Sequence, residues 1–321
     1  MSDPGDSIPS AQLPISASAP GKCIVFGEHA VVHGGPELLF AIDLRSQVIL
    51  QAADGSSLNG DRTASRTHPY FGRALAEIPP PGGGVSVTSV SRVPRSSGLG
   101  SSAAFVAALA AGLSAIRGGA DRPTLAQRAF SIEQGAQGVG SPGDTSAAVA
   151  GGFLALNTAR GTPLWEVSDG SRSWSVRRVV DPHWTWIVAD SGIPRRTADA
   201  VKAVAERMQR PDGPALLDRF RSVAERGIDS VGREDRGETG RCLRENQELL
   251  RDAGVSHDRL EALLDAARPS SDGEKLTGAG RGGSIVALPK PGRELETARK
   301  IARAGGVPFV VRPADDGARL L

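Results

Sequence analysis

The stretch Pro94-Arg95-Ser96-Ser97-Gly98-Leu99-Gly100-Ser101-Ser102-Ala103-Ala104 constrains this chain more than any other. It lies between an alternating run (Val85, Val87, Val90) with the period of a strand and an alanine-rich apolar run over 103–116, long enough for a buried helix. The spacing predicts a strand, a glycine turn and a helix start. Gly98 and Gly100 tolerate positive φ without a Cβ clash, and the first N–H groups of the helix have no partner within it. Such a turn suits an anion. The helix dipole is positive there, and the Ser101 and Ser102 hydroxyls add donors to a phosphate or ligands for a phosphate-bound Mg²⁺. The plain alternative is a serine-capped helix after a tight turn. The loop is not a Walker A element, because no Gly-Lys-Ser/Thr closes it, and it lacks the third glycine of a dinucleotide fingerprint.

At 321 residues the chain has room for two domains sharing a cleft. A net charge of +2, no long single-sign run and an aromatic content of 4% argue against nucleic acid or an anionic membrane as partner. Cys23 and Cys242 make neither a disulfide framework nor a metal-ligand spacing, which suits a reducing, cytoplasmic setting. Residues 1–12 are polar and proline-bearing, with Asp3 and Asp6 where a signal peptide needs a basic start; they are expected to form a disordered tail. No apolar run approaches the length of a membrane span. Of the 38 basic residues only Lys22, Lys202, Lys275, Lys290 and Lys300 are lysines, which singles out Lys22 beside Gly21 as a compact point charge.

Residues 15–26 and 38–51 read as strands, joined by a turn carrying Glu28, His29 and His33 between Gly27 and Gly34-Gly35. That is dense chemistry for a connection, although a hairpin with solvated polar groups has the same composition. Residues 52–84 form a loop-rich excursion with a short helical run over 70–76. Pro123-Thr124 starts a helix to Gln137. Its stripe of Leu125, Ala129, Ile132, Glu133 and Ala136 puts Glu133 on or beside the inward face, where a metal ion or a base would offset burial; the alternative is a carboxylate at the stripe's edge reaching water. Eleven residues on, Asp144 sits in Gly138-Val139-Gly140-Ser141-Pro142-Gly143-Asp144, by composition a turn aspartate. In the C-terminal half, strands are expected over 174–180 and 184–190. Thr197 fits an N-cap of a helix over 198–209, beside Arg195 and Arg196, which could draw in an anion. Helical patterns over 214–231, 238–252 and 256–267 precede Lys275-Leu276-Thr277-Gly278-Ala279-Gly280-Arg281-Gly282-Gly283, a strand over 284–288, a helix over 294–304 and a strand over 307–312.

Pro-x-x-x-Gly-Leu-Gly-Ser-Ser-Ala-Ala is similar to the central motif of the GHMP kinases, the superfamily of galactokinase, homoserine kinase, mevalonate kinase and phosphomevalonate kinase. Pro20-Gly21-Lys22 followed by Gly27-Glu28-His29-Ala30-Val31-Val32-His33-Gly34 resembles the opening motif of mevalonate kinases; galactokinases instead follow Gly-Glu-His with an Asp-Tyr pair that holds the sugar. The Glu133 to Asp144 spacing and the Gly151-Gly152 pair resemble the same family. The resemblance implies an α+β, two-domain fold, with an N-terminal ATP-binding domain over 13–165, a left-handed βαβ crossover against the usual rule, a C-terminal domain over 166–321 and the active site in the cleft.

The resemblance also implies roles. ATP is held by Pro94, Ser97, Gly98, Leu99, Gly100, Ser101, Ser102 and Ala103; Mg²⁺ lies on Glu133 and a serine, Ser102 or Ser101. Asp144 is the base, and Lys22 neutralises the transferring phosphoryl group. Glu28, His29, Ser141, Thr197, Gly278 and Ala279 line the acceptor site. The implied activity is phosphorylation of the C5 hydroxyl of mevalonate in isoprenoid biosynthesis. The alternatives are phosphomevalonate kinase, mevalonate 3-kinase and a non-catalytic sensor of the same fold; a homodimer is left open. Two departures stand out. Gly-Ser-Pro-Gly replaces a longer His-Gly-Asn-Pro-Ser-Gly before Asp144, and Arg281 interrupts a glycine run, where it is either strained or a cation near the phosphates.

Overall fold

The computed structural model describes residues 7–8, 11–138, 140–194 and 197–321. Two long strands organise it. β1 (Ile15–Phe26) and β2 (Glu37–Ala52) pair antiparallel, from Ile15 opposite Leu50 to Phe26 opposite Leu38. Their inner parts are buried on both faces, and the two-residue period of a strand sorts the side chains between two cores. Ala17, Ala19 and Leu39 face one; Cys23, Val25, Leu38 and Phe40 face the other. This is why these segments read as continuous apolar runs rather than alternating ones.

β3 (Val85–Ser91) pairs with the outer half of β2, and α1 (Ser101–Ile116) packs across β1 and β2. Small side chains let α1 lie close: a Cβ on Gly112 would stand 2.7 Å from Leu50 Cδ1. α2 (Arg122–Gln137) packs on α1 and is capped by Asp121, whose side chain accepts from the Thr124 N–H at 2.8 Å. α3 (Gly143–Ala150) leads into β4 (Phe153–Leu156), which joins the inner half of β2. The hairpin of β5 (Thr162–Ser168) and β6 (Ser173–Val179) continues the same sheet, and Arg319–Leu320 returns to pair with β1. The division expected at residue 165 falls within β5 of this hairpin.

The second half holds β7 (Trp186–Asp190), helices α4 (Thr197–Met208), α5 (Gly213–Gly232), α6 (Arg236–Asp252) and α7 (Asp258–Ala267), then β8 (Ser271–Thr277), β9 (Ser284–Pro289), α8 (Glu294–Arg303) and β10 (Val307–Val311). Its antiparallel sheet has the order β8-β9-β7-β10. Phe40 and Phe153 of the first half stack at 4.9 Å and Phe40 meets Trp186 of the second at 5.4 Å, so one core runs through both. The expected α+β architecture of two packed halves is the one observed. The unstructured tail expected over 1–12 needs a correction at Ser7–Ile8, which pairs with Ala120–Asp121; residues 1–6 and 9–10 lie outside the described residues. Among the described residues no helix is long and apolar enough to cross a membrane.

Candidate active site

The glycine turn forms where the sequence places it. Gly98 and Gly100 take φ of 84° and 74°, and Gly100 is the N-cap of α1. At Gly100 a side chain is barred twice, by the left-handed φ and by Lys22, whose Cγ would lie 2.9 Å from an added Cβ. No side chain caps α1, so its first N–H groups are free to meet an anion. They open, with Ser101 and Ser102, onto a cavity of about 990 Å³. Lys22, Glu133 and Asp144 line the same cavity, and Gly278 and Ala279 of the second half close it from across.

Lys22 ties this arrangement together. On β1 and 1% exposed, it gives its backbone N–H to Leu99 O at 2.9 Å and its Nζ to Gly98 O at 3.0 Å. The same Nζ forms an ion pair with Asp144 Oδ1 at 2.9 Å. One ammonium thus joins the phosphate-binding turn to the first turn of α3, where Asp144 stands. Across the helix N-terminus, Ser102 Oγ donates to Glu133 Oε1 at 2.8 Å, and Gln137 Nε2 donates to the same oxygen at 3.0 Å. Of the two serines it is Ser102 that meets Glu133.

The far end of the cavity is built from the turn after β1. Glu28 and Lys275 form a buried ion pair, and Lys275 Nζ also donates to Leu276 O at 2.7 Å. Burial raises the Glu28 pKa and Lys275 opposes that rise; Oε2 is buried with no hydrogen-bond partner among the described residues. Burial pushes the His29 imidazole down to about 4, against a hydrogen bond to the Ala279 backbone. The ring is therefore neutral, and its Nε2, with no hydrogen-bond partner among the described residues, offers a lone pair. Glu37, at the start of β2, is also buried here, with Ser141 Oγ 3.4 Å from Oε2. Desolvation, reinforced by the Asp144 charge, pushes its carboxyl up to about 8.

Most residues singled out in the sequence converge on this cavity: Lys22, Glu28, His29, Gly98, Gly100, Ser101, Ser102, Glu133, Ser141, Asp144, Gly278 and Ala279 all line it. Pro94, Ser97, Leu99 and Ala103 are not among the lining residues. Ser97 Oγ donates to Pro94 O at 2.9 Å, Ser284 Oγ donates to Ser97 O at 2.8 Å, and Leu99 and Ala103 are fully buried, so these four shape the turn from behind. Thr197 opens α4, but its side chain, like Arg195 and Arg196, lies outside the described residues. Arg281 takes the strained alternative: its φ is 55°, its N–H donates to Val255 O at 2.7 Å and its Nε reaches Gly254 O at 3.3 Å. It is exposed and turned toward the α6–α7 connection, and the second alternative, a cation beside the phosphates, is corrected accordingly.

Sequence reasoning missed Glu37 and the pairing role of Lys275, one of the chain's five lysines. It also missed Thr277, whose Oγ1 accepts from the Ile24 N–H at 3.0 Å and donates to Ile24 O at 2.9 Å, clamping β1 from the second half.

Comparison with known proteins matches both halves of the chain. Residues 63–152 match the model of the GHMP kinases N terminal domain and residues 228–307 that of the GHMP kinases C terminal domain. The mevalonate kinase of Methanothermobacter thermautotrophicus is 32% identical over 285 residues, covering 85% of this chain and 89% of the relative. That of Archaeoglobus fulgidus is 32% identical over 320 residues, covering 95% and 99%. Among solved structures, L. major mevalonate kinase in complex with R-mevalonate superposes with a TM-score of 0.79 at 22% identity, covering 99% of this chain and 100% of that one. Lactococcus lactis galactokinase complexed with galactose reaches 0.78 at 16%, covering 97% and 96%, so backbone likeness gives the fold and not the acceptor. With both halves matched in order and a glycine turn, a lysine and two carboxylates gathered at the cleft, the chain belongs to the GHMP kinase family.

Proposed function

We infer that this chain is an ATP- and Mg²⁺-dependent kinase that phosphorylates the C5 hydroxyl of mevalonate. The observation that carries the reading is Lys22, held between the phosphate-binding turn and Asp144. A triphosphate laid against the N-terminus of α1 brings its terminal phosphoryl group to the Lys22 ammonium. A hydroxyl at Asp144 is then aligned on the same point and gives up its proton to that carboxylate as it attacks. Phosphoryl transfer passes through a loose transition state, so alignment and charge neutralisation contribute more than base strength. Glu28 Oε2 and His29 Nε2 offer lone pairs and suit a second hydroxyl of the acceptor.

Glu133 and Ser102 would hold the metal ion. One carboxylate and one hydroxyl fit Mg²⁺, which takes its other ligands from nucleotide phosphates and water. Bound there, the ion would offset the charge on the phosphate oxygens. Ser102→Ala is expected to raise the Mg²⁺ concentration for half-maximal rate by about tenfold, with Ser101→Ala shifting it less; a Mg²⁺ titration at saturating ATP compares the two, and equal shifts would remove Ser102 from the metal site.

A coupled assay of ADP release tests the function, with Mg-ATP and mevalonate, phosphomevalonate, galactose or homoserine. Turnover of mevalonate with a 5-phosphate product, identified by phosphorus NMR, is expected. Turnover of phosphomevalonate instead would move the acceptor within the family, and ATP binding without turnover of any acceptor would make the chain a ligand sensor.

A further inference from the structure

Glu37 has a place in the cavity that the phosphoryl-transfer machinery does not explain. It is 2% exposed, and its hydrogen-bond partner is Ser141, at 3.4 Å. The carboxylate also lies against the start of α3: a Cβ on Gly143 would stand 2.5 Å from Oε2. The groups that face it are Asp144 from α3, Lys22 from β1, Glu28 from the turn after β1 and Ser141 from the loop before α3.

A charge count of this end is informative. Lys22 offsets Asp144 and Lys275 offsets Glu28. With Glu37 held up at about 8 by burial and the Asp144 charge, the wall is neutral at pH 7 and gains a net negative charge above pH 8. The hydrogen-bond count points the same way. Glu28 Oε2 and His29 Nε2 offer lone pairs, which suit hydroxyl protons but repel a carboxylate. A carboxylate bound in this end needs donors. Lys22 Nζ already gives two of its three N–H groups to Gly98 O and Asp144; beside it, among the described residues, the Ser141 hydroxyl and a neutral Glu37 are donors at this end.

We propose that Glu37 and Ser141 are the donor pair that receives the acceptor's carboxylate, and that ionisation of Glu37 closes the pocket to acidic acceptors. The proposal rests on the reading of the acceptor as a hydroxy acid. It makes Glu37 a specificity residue: a singly charged hydroxy acid is admitted because the wall is uncharged, and each further negative charge on the acceptor is disfavoured.

Calorimetric titration of (R)-mevalonate into the wild type, Glu37→Gln and Glu37→Ala between pH 6.5 and 9.5 tests this, with ATP binding to each variant as the check on folding. The wild-type Kd is expected to be constant below about pH 7.5 and to rise about tenfold per pH unit above the Glu37 transition. Glu37→Gln keeps a donor and cannot ionise, so its profile should be flat. Glu37→Ala should bind about tenfold more weakly at pH 7. Parallel loss of affinity in the wild type and Glu37→Gln would overturn the proposal, as would wild-type affinity in Glu37→Ala at pH 7; both leave the hydroxy-acid reading in place. Absence of (R)-mevalonate binding to the wild type at any pH would overturn that reading together with the proposal.

Discussion

Lys22→Met is expected to lower kcat by about a thousandfold while changing the Kd for ATP only a few-fold. The asymmetry follows from where the charge acts. In the proposed arrangement ATP is held mostly by the turn and the N–H groups of α1, which methionine does not disturb, whereas the ammonium would meet charge that develops only as the phosphoryl group moves. Methionine also keeps the length of the buried stem that packs beside Gly100, so lost packing is small. Asp144→Asn should cost between about 10² and 10⁴ in kcat, because the amide accepts no proton and leaves the Lys22 ammonium without its anion. Since the two side chains act as one unit through their 2.9 Å contact, the double variant should be little worse than the poorer single one. Steady-state rates with separate ATP-binding titrations measure all of this. Near-normal kcat in both single variants would remove the pair from the chemistry.

How much of this site could be read from the sequence depends on how local the signal was. The turn at 94–104 and the segment at 27–34 are contiguous, and their glycines punctuate them, so their residues could be named before any contact was known. Glu133 and Asp144 were reachable through helix periodicity and a family spacing. Glu37 was not: it opens a strand that reads as buried, and its meaning comes from Ser141 and Asp144, more than a hundred residues away. Thr277 and Ser284 act on β1 and on the phosphate-binding turn across the domain interface, at separations of 253 and 187 residues. Within the fold, β4, β5 and β8 escaped notice for a related reason. β4 has only four residues, β5 is a partly exposed edge strand, and β8 carries Asp272, Gly273, Glu274 and Lys275, whose polar groups find partners only in the folded chain.

Lys275→Met should be the most destabilising substitution in the cleft, by about 3–5 kcal/mol at neutral pH. Lys275 is fully buried and neutralises Glu28 across the interface between the halves, so its loss leaves a buried carboxylate without its ion-pair partner. Glu28 can escape the penalty only by taking up a proton, which sets the sign of the pH dependence. Its folded-state pKa is already raised by burial, and losing Lys275, which lowers it, raises it further. Between the unfolded and the folded value the unfolded state then binds fewer protons, so stability is lost as pH rises through that window and recovered on acidification. The variant should therefore lie closer to the wild type at pH 5.5 than at pH 7.5 in urea unfolding. Adding Glu28→Gln should restore most of the loss, because an uncharged side chain no longer needs the ammonium. A penalty that is independent of pH and is not relieved in the double variant would mean that Lys275 contributes packing alone. The pair would then not be what holds Glu28 Oε2 toward the acceptor.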